Sequence, residues 1–145
     1  MKVVKTFRIE FSTHGPNKLF DITEKVSSMV KGVWEGVLTL QAVGSTGALV
    51  ILPRQQKVVE AFENDLWDLV ATLGWKHPGN AYAHLRSTLI GTTLTLPVVK
   101  GVLPLTDCGI YFLENQPAVR RHRSVTAALL VPDEHGLADS AGGCL

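Results

Sequence analysis

The side chains in this 145-residue chain whose chemistry goes beyond packing are His84, Glu114, the hydroxyl pair Ser45 and Thr46, and a basic run at Arg120, Arg121, His122 and Arg123. His84 changes charge near physiological pH, so it suits general acid–base work or ligand binding. It lies one step from Leu85 in an apolar stripe of Ala81, Leu85 and Leu89, so it is either packed and hydrogen-bonded or aimed into a cleft. Glu114 ends a predicted strand, where a carboxylate is either catalytic or, more often, a surface or ion-paired group. Imidazole and carboxylate also suit a divalent cation such as magnesium or zinc. His84, His77 and Glu114 are the candidate ligands, although no close-spaced pair marks them out.

Gly44, Ser45, Thr46 and Gly47 can turn backbone amides toward an anion, or form an ordinary polar loop. Arginine forks fit phosphate bidentately. Along a strand only alternate residues share a face, so Arg121 acts with Arg123 and Arg120 with His122. The plainer reading of this run is a solvated edge or an ion pair between subunits. Nothing beside Cys108 marks it as a nucleophile. Trp34, Trp67 and Trp75 are too scattered for a base-stacking platform and suit a core or a subunit interface.

The elements that must position these groups are legible in the pattern. Residues 77–101 read as a loop, a helix capped by Asn80, a stop at Gly91, and a strand. Phe7, Ile9 and Phe11 alternate with Arg8 and Glu10 in a half-buried strand, which His14 to Asn17 end as a turn. A short strand is expected at 18–20. Asp21 with Glu24 predicts a capping box for a helix carrying Ile22, Val26, Met29 and Val30, stopped at Gly32. Residues 37–43 read as a strand covered on both faces, followed by a strand at 48–52. Pro53 opens the longest helical pattern, with Val58, Val59, Phe62, Leu66, Leu69, Val70 and Leu73 on its buried side and Gly74 at its end. Strands are expected at 92–99, with Pro97 demanding an edge or a bulge, at 109–114, and at 121–131, where Arg123, Val125, Ala127, Leu129 and Val131 share a side. From Pro132 onward the glycine-rich tail is expected to fray.

These elements amount to one α+β domain. The composition, 46% hydrophobic and 19% charged, is that of a compact soluble protein. A net charge of +1 gives no general field for nucleic acid or anionic membrane. No apolar run approaches the ~18 residues of a membrane span. Two cysteines, Cys108 and Cys144, suit free thiols in a cytoplasmic setting.

The segments N-A-Y-A-H-L-R-S-T-L-I-G at 80–91, L-P-V-V-K-G at 96–101 and G-I-Y-F-L-E at 109–114 resemble the YjbQ-like family, as do D-I-T at 21–23 and the basic run from Arg120. Its members are described as secondary thiamine-phosphate synthases. The resemblance implies a β-sandwich-like core of mostly antiparallel strands with external helices, over residues 1–132, followed by a flexible tail at 133–145. It also implies a homotrimer with sites near subunit boundaries, and a reaction joining a pyrimidine pyrophosphate to a thiazole phosphate. By position, His84 and Glu114 match the family's catalytic candidates, while Asn80, Ser45 and Thr46, together with Arg121, would hold a small phosphorylated substrate. The chain departs from the pattern at Gly44, where the family has histidine, at Leu52 and Pro53 for Asn-Glu, and at Asp107 and Cys108 for Trp-Gln. The alternative expectation is therefore a non-catalytic trimeric binding or assembly module.

Overall fold

A computed structural model of the chain describes residues 2–70 and 81–133. In chain order the elements are β1 (Lys2–Thr13), β2 (Lys18–Asp21), α1 (Thr23–Met29), β3 (Gly36–Ala42), β4 (Gly47–Pro53), α2 (Gln56–Leu69), α3 (Ala81–Ile90), β5 (Thr93–Val98), β6 (Cys108–Glu114) and β7 (Arg121–Val131). Two antiparallel sheets result, one in the order β1-β7-β3-β5 and the other β2-β6-β4. This is the expected α+β sandwich with helices outside it.

Alternation explains how the sheets stack. Leu38, Leu40, Ala42, Val125, Ala127 and Leu129 project from the four-stranded sheet onto Leu49, Ile110 and Phe112 of the three-stranded one. Phe11 meets the ring of Phe112 edge-on at 5.2 Å, the geometry that aromatic quadrupoles favour. The helix α1 adds Ile22, Val26, Met29 and Val30 to the same core. Leu113 and Ala48 point the other way, against Leu66 and Val70, and Tyr111 and Val50 meet Val59. The central strand β6 is thus covered on both faces, by the partner sheet and by the helical layer.

Several expectations change in detail. Double coverage belongs to β6 rather than to residues 37–43, where Leu38, Leu40 and Ala42 are buried but Gln41 is exposed. Only one side of β3 meets the second sheet. The capping box at α1 does not form. Asp21 Oδ1 accepts from the Thr23 amide at 2.9 Å, while Glu24 turns outward to Arg54 Nη1 at 3.2 Å. The helix α2 starts at Gln56, because Pro53 is still paired with Cys108 in β4. Leu69 is 81% exposed, outside the buried stripe.

On α3, Ala81 is buried and Leu85 packs partly buried against the cluster of Ala48 and Leu113, as the stripe predicts, but Leu89 is 64% exposed and the buried face takes in Ala83, Arg86 and Ser87. Arg86 turns the helix that way. Its guanidinium packs 4.2 Å from the Trp67 ring centroid and donates to the carbonyls of Trp67 and Val70 at the end of α2, both at 3.3 Å. Gly91 stops α3 as expected, with φ of +104° and its amide bonded to the Ser87 carbonyl. Pro97 sits on β5, an edge strand. Trp34 and Trp67 are both largely exposed in the single chain rather than core residues. Leu73, Gly74, Trp75, His77, Asn80 and the tail from residue 134 lie outside the described residues.

Candidate functional site

The antiparallel register brings the end of β6, the start of β7 and the β3–β4 loop to one end of the sandwich. Glu114 pairs with Gly47 across β4–β6, and Arg121 opposes Thr13 across β1–β7. The loop from Val43 to Thr46 crosses from one sheet to the other, and α3 lies alongside. Gly44 has φ of +98°, a left-handed conformation that costs a side chain strain. Gly47 is required for another reason: a Cβ there would fall 2.2 Å from Cζ of Phe112.

The loop is held from three directions. Its Thr46 carbonyl accepts from the Asn115 amide at 3.0 Å. The Thr46 hydroxyl donates to Gln116 Oε1 at 3.0 Å and accepts from Arg123 Nη2 at 2.7 Å. Asn115 Nδ2 also donates to Ser87 Oγ at 2.9 Å, which ties the loop's support to α3. With the loop and helix so fixed, Ser45 Oγ and His84 Nδ1 stand 2.9 Å apart.

Behind them lies a buried ion pair. Arg123 donates from Nε to Glu114 Oε1 at 2.7 Å and from Nη2 to Oε2 at 2.5 Å. Thr13 Oγ1 adds a bond to Oε1 at 2.6 Å, and the Gln116 amide one to Oε2 at 3.0 Å. Burial, the largest single influence, would raise the Glu114 pKa. The hydrogen bonds from Arg123, Thr13 and Gln116, with the Arg123 charge, outweigh it and hold the carboxyl below the ordinary glutamate value. Glu114 is 0% exposed and both its oxygens are engaged, so its geometry is that of an anchor.

Glu114 is thus committed to Arg123, the ion-paired alternative for a strand-end carboxylate, with both oxygens engaged. Among the described residues no three His, Cys, Asp or Glu side chains converge into a metal-binding group; His77 and Asn80 fall outside them. The polar groups that the described residues bring to the cleft beside His84 are arginines, hydroxyls, an amide and the His122 ring. Within the basic run Arg120 and His122 are exposed, as a solvated edge requires, while Arg123 is paired inside the chain.

Ser45, Thr46, His84, Arg121 and Arg123 line one open cleft of about 430 Å³, with Arg8, Gln116 and His122 at its margins. Arg121 Nε is buried and has no hydrogen-bond partner among the described residues. Arg8 donates to Ser124 Oγ at 3.1 Å and lies 3.6 Å from Glu10. Three arginines therefore face two glutamates, of which Glu114 is already neutralised. The cleft favours anions.

The remaining departures from the family pattern fall elsewhere. Leu52 pairs with Gly109 and Pro53 with Cys108, at the far end of the β4–β6 ladder. Five steps of strand put Leu52 roughly 17 Å from Gly47. Within one chain, Leu52, Pro53, Asp107 and Cys108 take nothing from the cleft beside His84. That end carries a different cluster, in which Arg54 donates to Asp21 Oδ2 and Glu24 Oε1.

Reasoning from sequence placed Arg123 beside Arg121 but missed its grip on Glu114, and it missed Gln116 and Thr13 altogether. The signal for Arg123 was present: it shares a strand face with Val125, Ala127 and Leu129, and an arginine on a core face needs a buried acid. No local pattern marked Gln116 or Thr13.

Comparison with known proteins agrees with this architecture. A family model for UPF0047 protein YjbQ-like matches residues 7–131. A UPF0047 protein of Methanothermobacter thermautotrophicus is 32% identical over 128 residues, spanning 83% of this chain and 90% of the relative. One from Archaeoglobus fulgidus is 34% identical over 110 residues, spanning 72% and 86%. Among solved structures, a hypothetical protein of Aeropyrum pernix K1 superposes with a TM-score of 0.79 at 28% identity, covering 89% of this chain and all of that one. A YbjQ-like protein of unknown function from Sulfolobus solfataricus P2 gives 0.77 at 26%, covering 88% and 99%. With the sandwich, the helix carrying His84 and most of its length matched, this chain belongs to the UPF0047, YjbQ-like family.

Proposed function

We propose that the cleft beside His84 binds a small phosphorylated metabolite. The observation that carries this is the convergence of Arg121 and Arg123 on a loop whose Ser45 and Thr46 hydroxyls are held by the rest of the fold, with Arg121 Nε buried and lacking a partner among the described residues. A buried donor without an acceptor is costly, and an anion supplies the acceptor. Arg121 and Ser45 are the substrate-binding side chains in this reading, and Thr46 shapes the loop. His84 is the acid–base group. A weak transfer reaction of the thiamine-phosphate synthase type is the family-derived use of such a cleft, with its diphosphate leaving group seated on the arginines. Thermal denaturation with inorganic phosphate and with pyrophosphate is the test. At a hundredfold excess over Kd, binding adds roughly 2.7 kcal/mol, a rise of several degrees in Tm that Arg121→Ala removes. An unchanged Tm in wild type rejects the reading.

The second reading is a trimeric assembly module, and one observation favours it. The outer face of the four-stranded sheet carries Val37, Thr39, Thr95, Pro97, Ala128 and Leu130, all part-exposed or exposed among the described residues. Cross-strand rows such as Ala128–Thr39–Thr95 hold no charge. In this proposal residues 1–132 are one cytoplasmic domain that trimerises through this face, with 133–145 a tail. No helix among the described residues is long and apolar enough to cross a membrane.

A further inference from the structure

We infer that Ser45 is a nucleophile activated by His84, and that the cleft transfers the phosphoryl group of a phosphate monoester through a transient phosphoserine. The inference rests on the anion-binding reading above and adds a covalent step to it. Its basis is the unlike fate of two adjacent hydroxyls. The Thr46 hydroxyl is buried, accepting from Arg123 and donating to Gln116. The Ser45 hydroxyl is exposed in the cleft, with Nδ1 of His84 at 2.9 Å. A serine within hydrogen-bond reach of an imidazole is the arrangement that nucleophilic catalysis needs.

Placement makes the pair useful. The loop carrying Ser45 is fixed through Thr46 on one side, and α3, which carries His84, is joined to the same support through Asn115 and Ser87. Little reorganisation is then needed to reach an attacking geometry. Cations stand where phosphoryl oxygens would gather charge. A Cβ built on Gly44 would lie 3.8 Å from Arg123 Nη1, so that nitrogen faces the loop beside the serine. None of the hydrogen bonds of Arg123 to the described residues uses Nη1. Positive φ at Gly44 disfavours any side chain that would screen it. Arg121 supplies the second guanidinium. Fixed positive groups at the equatorial oxygens are the main catalytic need in phosphoryl transfer.

The step balances without a further reactant. As Ser45 Oγ bonds to phosphorus, its proton passes to Nδ1 of His84, in the tautomer protonated on Nε2. The bond from phosphorus to the alcohol oxygen breaks, and the alkoxide takes that proton. Water then attacks phosphorus and gives its proton to His84. The Oγ–phosphorus bond breaks, and Ser45 takes the proton back. Monoester and water become alcohol and inorganic phosphate.

The test uses the full chain and two probes. Diisopropyl fluorophosphate, which phosphorylates activated serines with loss of fluoride, is expected to label Ser45 once per chain, located by peptide mass. Labelling should vanish in Ser45→Ala and slow roughly 10²-fold in His84→Ala. Release of p-nitrophenol from p-nitrophenyl phosphate should be lost in Ser45→Ala. Labelling no faster than in His84→Ala, or turnover unaltered by Ser45→Ala, overturns the inference. The inorganic phosphate shift in Tm separates the two ideas. If wild type keeps that shift yet shows neither labelling nor release, the covalent step falls and anion binding stands. If wild type shows no shift, both fall.

Discussion

Arg123 grips Glu114 through two hydrogen bonds, 2.7 Å and 2.5 Å long, on the β7 face that continues with the core residues Val125, Ala127 and Leu129. The pair joins the end of β6 to the start of β7. Through Arg123 Nη2 and Thr46 Oγ1 it also fixes the loop that presents Ser45. Removing one partner leaves the other charge buried without compensation. Arg123→Ala is expected to cost about 3–5 kcal/mol, measured by urea denaturation. A loss under ~1 kcal/mol would mean that the site relaxes to admit water.

Acid should destabilise the fold through the same pair. The folded-state pKa of Glu114 lies below its unfolded value, so its contribution is fully present above the unfolded value, at about pH 5 and higher. It is lost as pH falls through the lower, folded pKa. Glu114→Gln should therefore flatten the dependence of stability on pH below about pH 4.5. Denaturation curves of wild type and variant across that range, equally steep after each is referred to its neutral-pH value, would contradict this.

Gly47→Ala should disrupt the same corner by crowding. The new methyl meets the Phe112 ring at 2.2 Å, and that ring is fully buried, edge-on to Phe11 and beneath Arg123. Overpacking of this kind costs about 1–3 kcal/mol. Gly44→Ala meets no close atom and should lose only about 1 kcal/mol, from its positive φ. Equal Tm losses for the two would show that space at Phe112 is not the limiting factor.

His84→Ala and Arg121→Ala should separate function from folding. Neither side chain is fully buried or part of the Glu114 anchor. Each variant is expected to keep wild-type stability within ~0.5 kcal/mol, and Arg121→Ala should lose most of the phosphate-induced rise in Tm. A fall in stability of several kcal/mol would reassign the residue to the scaffold.

The outer sheet face predicts the response of the assembly. Thr39→Arg places a charge at the centre of the Ala128–Thr39–Thr95 row, where desolvation opposes burial. Sedimentation velocity should find a trimer for wild type and a monomer for the variant. Identical sedimentation of the two would remove that face from the interface.

The sequence by itself determined the elements, because their signals are local. Alternation at Phe7, Ile9 and Phe11, the apolar stripe of α1, the stop at Gly91 and the edge position of Pro97 each depend on spacing along the chain and on backbone sterics. It also placed Ser45, Thr46, His84 and Arg121 among the site candidates, since hydroxyl, imidazole and guanidinium groups carry chemistry wherever they stand. Tertiary structure alone decided which groups meet. Glu114 reads as a surface or ion-paired carboxylate and Arg123 as one member of a strand face, and they become an anchor because the end of β6 and the start of β7 meet at the same corner. Leu89 looks buried by period, yet Arg86 turns the helix by reaching the carbonyls at the end of α2. Leu52 and Cys108 seem to erode the site until strand register carries them to the opposite end of the sheet. Pairing across more than a hundred residues, such as Thr13 with Arg121, leaves no trace in local spacing, and that pairing assembles the cleft.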